Sequence, residues 1–377
     1  MKLNPLLRIQ NFDQKIWLDF IRRGMLTSDE LRRWIEDEGL SGVTSNPAIF
    51  DKAITGSHDY ESDIETLVSK GKTPREIYEA LTIEDVQRAA DILRSGYDKS
   101  DGRDGFVSLE VSPHLAHDSD HTIAAARRLW EKVQRPNLLI KVPATREGLP
   151  AITRLIAEGI NVNVTLLFGL PRYREVAEAY IAGLETRLRE RKPLGTVASV
   201  ASFFLSCIDT LVDSRLDKIT KEGGPQAETA RTLVGKIAIA SAKMADHICK
   251  ELFDGERFQK LAEHGAFPQR LLWASTSTKN PAYSDVKYVE PLIGSETINT
   301  LPLETLEAFR DHGRASLSLE ENFWEYSTGL ERLPEVGIKL DEVTQQLEDE
   351  GVRKFIEPYD HLMSVLEEKC TAVVGIS

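Results

Sequence analysis

Hydrophobic positions along the chain follow two alternating rhythms. Short aliphatic or β-branched runs occur at Lys15–Phe20, Gly42–Ser45, Gly105–Val111, Asn137–Val142, Asn161–Leu167, Val197–Phe204, Arg270–Ser275 and Tyr288–Ile293. Between them lie stretches with apolar residues three and four apart: Thr27–Glu38, Pro74–Tyr97, Asp120–Val133, Leu149–Glu158, Pro171–Glu190 and Ala227–Leu252. Near-continuous apolar strands alternating with amphipathic helices predict a parallel sheet covered by those helices. Eight such units close most simply into a (β/α)8 barrel, an α/β fold that routinely runs past about 250 residues as one domain. The rival is an open doubly wound sheet, but neither GxGxxG nor GxxxxGK[ST] occurs, so it lacks its nucleotide-binding signature.

The expected organisation is a single barrel domain over residues 1–377. A helical insertion, Phe50 to Arg103, carries two helical patterns between the second and third strands. Residues 303–377 form a helical extension packed on the barrel, with Gly329 to Gly337 as its loop and Thr371–Ser377 as a mobile tail. Thr27-Ser-Asp-Glu30 has the form of a capping box, and Pro171 suits a first helical position.

In a barrel strand, alternate residues face the interior, and reacting groups gather at the carboxyl ends. That rule collects Asp19 from the first strand, Thr44-Ser-Asn-Pro47 from the second, and Ser108 with Glu110 from the third. The fourth gives Lys141 on the same face as Leu139, and the fifth gives Asn161, Asn163 and Thr165. The sixth gives Ser202, and the seventh ends Trp273-Ala-Ser-Thr-Ser-Thr-Lys279. Any one of these could be a satisfied core group, but buried acids, amides and amines are costly unless paired. An amine attacks a carbonyl only when unprotonated, and desolvation disfavours the ammonium form. A lysine in an apolar strand, surrounded by carboxyl and hydroxyl groups, is therefore a candidate Schiff-base former with a ketone.

Composition narrows the partners. The chain is 41% hydrophobic and 28% charged, with a net charge of −13, which argues against a nucleic-acid or anionic-membrane partner. Three cysteines without CxxC spacing suit a reducing compartment. The start, Met1-Lys-Leu-Asn-Pro-Leu-Leu-Arg8, has no apolar h-region, and no window is apolar enough to span a membrane, so a cytoplasmic protein is expected. His114, His117 and His121 have spacings that zinc ligands sometimes show, but no third-ligand motif accompanies them, and no metal or cofactor is expected. Monomer and homodimer both stay open.

Taken together, Thr44-Ser-Asn-Pro47, Ser108-Leu-Glu-Val111, Leu139-Ile-Lys-Val-Pro-Ala-Thr145, Asn163-Val-Thr-Leu-Leu-Phe168 and Trp273-Ala-Ser-Thr-Ser-Thr-Lys-Asn-Pro281 resemble the transaldolase family. The likeness is to its longer form, found in bacteria and plant plastids, and runs over residues 10–370 with the motifs in family order. It implies a metal-free class I aldol mechanism on a (β/α)8 barrel. A dihydroxyacetone unit would move between sedoheptulose 7-phosphate/glyceraldehyde 3-phosphate and erythrose 4-phosphate/fructose 6-phosphate. By the resemblance, Lys141 is the Schiff-base lysine, and Glu110 is the carboxyl group that works with a water held by Thr165. Asp19 takes the proton from the C4 hydroxyl, Asn46 and Asn163 hold the dihydroxyacetone hydroxyls, and Ser202 lines that site.

One position departs from the pattern. Many members read Ser-Phe-Phe-Val-Ser-Arg, with the arginine on substrate phosphate, where this chain has Ser202-Phe-Phe-Leu-Ser-Cys207. A cysteine lacks the fork of donors an arginine offers. Phosphate binding then falls on Ser277 and Lys279 with nearby backbone N–H groups, and Arg215 is a further candidate. Two other readings stay open: a related class I aldolase releasing free dihydroxyacetone from fructose 6-phosphate, and a catalytically silent barrel.

Overall fold

Eight parallel strands close into one barrel in chain order in the computed structural model, which describes residues 4–374. They are β1 (Lys15–Asp19), β2 (Leu40–Thr44), β3 (Phe106–Glu110), β4 (Leu138–Pro143), β5 (Val162–Leu167), β6 (Ser199–Phe204), β7 (Arg270–Ala274) and β8 (Ile298–Leu301). β3, β4 and β5 are buried at every position, as strands covered on one side by helices and on the other by the barrel interior must be.

The interior is filled from below. Trp17, Phe106, Leu139, Val200, Leu272 and Ile298 form an apolar floor. A Cβ at Gly42 would lie 2.5 Å from the Trp17 indole, so the bare backbone of β2 is what lets that ring lie across the barrel. At about 25 cal/mol per Å², a buried aromatic covering ~150–250 Å² contributes roughly 4–6 kcal/mol. The Trp17 Nε1–H is satisfied by Asp104 at 3.1 Å. With the floor packed, the polar residues one step further along each strand stand at the carboxyl-end mouth.

Several expected elements differ. The eighth strand is Ile298–Leu301, not Tyr288–Ile293. Pro291 cannot donate to a ladder, and Glu290–Leu292 forms a 3-10 turn instead. Its apolar residues Tyr288, Val289, Leu292 and Ile293 are nevertheless buried within the β7–β8 connection, where the Tyr288 hydroxyl donates to Asp209 at 2.9 Å. Ala227–Leu252 is two helices, Ala227–Leu233 and Ile237–Phe253, broken at Gly235 (φ 71°), whose N–H donates to Asp213. The insertion after β2 carries three helices, Pro47–Thr55, Glu61–Ser69 and Pro74–Lys99. The capping box is at Thr73 and Glu76; Thr27 instead ends a short helix, and its hydroxyl donates back to the Arg23 carbonyl. Pro171 does lie in the first turn of Leu170–Arg189. A helix over Ser206–Glu222, not anticipated from the pattern, follows β6.

After β8 come helices Leu303–His312, Phe323–Glu331 and Leu340–Val374. The expected loop Gly329–Gly337 is helical to Glu331 and continues as a 3-10 turn at Leu333–Val336. Of the tail Thr371–Ser377, residues 371–374 continue the last helix and the remainder lies outside the described residues. That long helix is tied to the mouth of the barrel by His361–Asp51 (2.8 Å), His114–Asp360 (2.7 Å) and Arg172–Glu348 (3.2 Å). No helix among the described residues is long and apolar enough to cross a membrane.

Candidate active site

A cavity of about 470 Å³ opens at the carboxyl ends of the strands and is lined by Asp19, Asn46, Lys141, Ser202, Ser277 and Lys279, among others. A larger groove of about 630 Å³ lies outside the barrel, between Arg172 and the Leu340–Val374 helix, and holds none of the candidate catalytic or binding residues.

Strand register sets the centre of the site. Glu110 pairs across β3–β4 with Lys141, and Lys141 pairs across β4–β5 with Asn163. Lys141 is only 4% exposed. Its Nζ donates to the Ser45 carbonyl at 2.9 Å and lies 3.8 Å from Glu110 Oε2. Both carboxyl oxygens of Glu110 and the Thr165 hydroxyl are buried without a hydrogen-bond partner among the described residues. Burial pushes the Glu110 carboxyl up to about 7; Lys141 opposes that shift and Asp19 adds to it.

Asp19 stands at the end of β1. Burial raises its pKa, while Lys141 and the Thr44 hydroxyl pull it back. Thr44 Oγ1 donates to Asp19 Oδ1 at 2.7 Å and lies 2.8 Å from Thr300 Oγ1. A hydroxyl has one proton to give, so Thr300 must donate to Thr44 in this chain. The relay orients the carboxylate from two neighbouring strands.

Asn163 is oriented the same way: its Nδ2 donates to Ser108 Oγ at 3.0 Å and its Oδ1 accepts from Ser202 Oγ at 2.7 Å. Asn161, grouped with it by sequence, is a structural pin. Its amide donates to the Pro136 and Leu138 carbonyls and accepts from the Ala198 N–H. Just beyond Thr165 the register between β5 and β6 breaks at Leu166, a non-glycine residue at φ 55°. Asn46 caps the Pro47–Thr55 helix, its Oδ1 accepting from the Ile49 N–H at 3.0 Å, which leaves its amide donors for another partner.

On the far wall, Lys279 Nζ donates to Ser277 Oγ at 2.6 Å. Cys207 sits in the first turn of Ser206–Glu222, with its Sγ 3.5 Å from Ser275 Oγ, and it is Ser275 that lines the cavity. Arg215 is turned away; it donates to Gln346 at 2.6 Å and does not line the cavity. The histidines separate onto different carboxylates, His114 on Asp360, His117 on Glu147 and His121 on Asp118. Among the described residues no group of three or more His, Cys, Asp or Glu side chains could hold a metal ion.

Thr300, Lys52 and Phe355 are among the lining residues that escaped the sequence reading. Thr300 was missed with its strand; the short β-branched run Ile298-Asn-Thr-Leu301 was the available signal. Phe355 belongs to a stripe with four-residue spacing, Leu347, Gly351, Phe355 and Tyr359.

With this geometry in hand, comparison with known proteins is decisive. The profile of the transaldolase/fructose-6-phosphate aldolase family matches residues 16–366. The chain belongs to that family. A protein of Trichodesmium erythraeum named Transaldolase is 46% identical over 373 residues, 98% of each chain. Transaldolase 2 of Nostoc punctiforme is 46% identical over 374 residues, again 98% of each. Transaldolase of Thermobifida fusca is 43% identical over 370 residues, 98% of this chain and 99% of its own length. The site candidates, from Asp19 to Lys279, lie within the span matched by that profile.

Proposed function

We propose that this chain is a transaldolase of the non-oxidative pentose phosphate pathway, a transferase that moves a dihydroxyacetone unit between sugar phosphates through a Schiff base on Lys141. The observation that carries it is the buried Lys141 amine between Glu110 and Asn163, with Asp19 at the same end of the barrel. In sequence, Lys141 Nζ adds to the C2 ketone of fructose 6-phosphate. Glu110, still partly protonated near pH 7, supplies a proton through a water on Thr165, and the carbinolamine hydroxyl leaves as water. The iminium then serves as electron sink. Asp19 takes the C4 hydroxyl proton, the C3–C4 bond breaks, glyceraldehyde 3-phosphate departs, and an enamine remains on Lys141. The enamine carbon attacks the acceptor aldehyde, and the steps reverse to release the new ketose.

Asn163 and Ser202, with the spare amide donors of Asn46, hold the hydroxyls of the three-carbon unit, while Ser277 and Lys279 take the substrate phosphate as charge-assisted donors. The three cysteines are free, which supports a reducing, cytoplasmic setting. Residues 1–377 form one barrel domain in this account, and 303–377 its helical extension. The test is product analysis with fructose 6-phosphate, with and without erythrose 4-phosphate. Sedoheptulose 7-phosphate formed only when the acceptor is present supports transfer. Equal dihydroxyacetone release in both cases would point to an aldolase instead.

A further inference from the structure

The long helix Leu340–Val374 sends a single side chain into the cavity among the described residues, Phe355. Its position is fixed by neighbours one turn away on the same face. Four residues before it, Gly351 has no Cβ, and one there would lie 3.1 Å from Leu166 and 3.5 Å from Phe168, at the end of β5. Four residues after it, Tyr359 packs edge-to-face on Tyr78 at 5.3 Å and on His114 at 5.8 Å. Asp360 and His361 then bond to His114 and Asp51 at 2.7 and 2.8 Å. Phe355 is thus held between two anchored turns. Phe204, whose ring stands 5.2 Å from Phe168, and Ile49 of the Pro47–Thr55 helix line the same cavity.

Nothing in the cleavage chemistry requires an aromatic ring at this place. What the chemistry does require is time: after the aldose leaves, the enamine on Lys141 must persist until an acceptor arrives. Its competing fate is protonation at carbon to the iminium, addition of water at C2, and breakage of the C2–N bond, which returns the Lys141 amine and frees dihydroxyacetone. Water supply at the mouth therefore sets the balance between transfer and release.

We propose that Phe355 is a specificity-determining residue, an apolar cover over the Lys141-bound unit that restricts water and so favours transfer over release. This rests on the Schiff-base transfer reading above. It is tested on the full-length enzyme by measuring sedoheptulose 7-phosphate formed from fructose 6-phosphate and erythrose 4-phosphate, and dihydroxyacetone released from fructose 6-phosphate alone. The ratio of release to transfer is the readout, because a general loss of folded enzyme lowers both rates together and leaves it unmoved. Phe355→Ala is expected to raise the ratio about tenfold, and Phe355→Leu, which keeps most of the apolar volume, by about two- to threefold. A ratio unchanged in Phe355→Leu overturns the proposal even if the alanine variant does not fold. If the wild-type chain shows neither reaction, the transfer reading itself falls and this proposal with it; if it transfers and the ratio stays fixed, only the role of Phe355 is lost.

Discussion

The amine of Lys141 stands 3.8 Å from a carboxyl oxygen of Glu110, outside hydrogen-bond range, and donates instead to the Ser45 carbonyl at 2.9 Å. This arrangement leaves Glu110 dominated by its burial, with its carboxyl pushed up to about 7. An acid that titrates near neutrality can both give and take a proton during dehydration and hydration of one intermediate.

Glu110→Gln should slow turnover by about 10²–10⁴-fold. In the wild type the proton-donating form is present below about pH 7 and is lost as pH rises through that value, so the alkaline limb assigned to Glu110 should vanish in the variant. Stability carries the same sign. The folded-state pKa is raised above the ordinary glutamate value of 4.5, so the contribution of neutral Glu110 is present below that value and lost as pH rises through about 7. Thermal unfolding at pH 5 and pH 8 should show the glutamine variant gaining on the wild type only at the higher pH.

Asp19→Asn removes the carboxylate at the end of β1 and should also slow turnover by about 10²–10⁴-fold. Thr44→Val is the subtler change. It removes the 2.7 Å bond that helps to hold the Asp19 pKa down, against the burial that raises it. The pH–rate profile should show the acid limb moved to higher pH, with a loss of about 1 kcal/mol in transition-state binding. An unmoved limb would assign that limb to another group.

Lys279→Ala should raise KM for phosphorylated sugars with little change in kcat, at about 1.5–3 kcal/mol for one charge-assisted contact. Cys207→Arg introduces a guanidinium fork beside Ser275 and should lower the same KM. Steady-state kinetics on both variants checks this, and an unchanged KM in Cys207→Arg would place the phosphate elsewhere.

Gly42→Ala drives a methyl group to 2.5 Å from the Trp17 indole. Overpacking of this kind costs about 1–3 kcal/mol, to be read as a lowered denaturant midpoint with an unchanged slope. The floor of the site would shift with the ring, so turnover should fall as well.

Much of this architecture was legible because strand period and strand end are local signals. The alternation Leu139–Lys141, Phe106–Ser108–Glu110 and Asn163–Thr165 put the inward faces in view, and strand register sets Glu110 and Asn163 beside Lys141, which lines the cavity. The eighth strand was misplaced because Tyr288–Ile293 is more apolar than Ile298–Leu301, although it carries a proline and is buried as a loop. With the strand went Thr300 and its relay to Asp19. Asn161 reads like Asn163 in sequence; only its bonds to Pro136, Leu138 and Ala198 show that it pins the chain. Phe355 reaches the mouth through packing of a helix about 190 residues after Thr165 in sequence, and no local pattern encodes that approach.

The central claim is a covalent bond between one amine and a sugar ketone. Incubation with fructose 6-phosphate and borohydride, followed by peptide mass spectrometry, tests it most directly. The expected result is a dihydroxyacetone-derived adduct on the peptide carrying Lys141, with both adduct and turnover absent in Lys141→Ala. An adduct on a different lysine, or turnover that persists in Lys141→Ala, would contradict it.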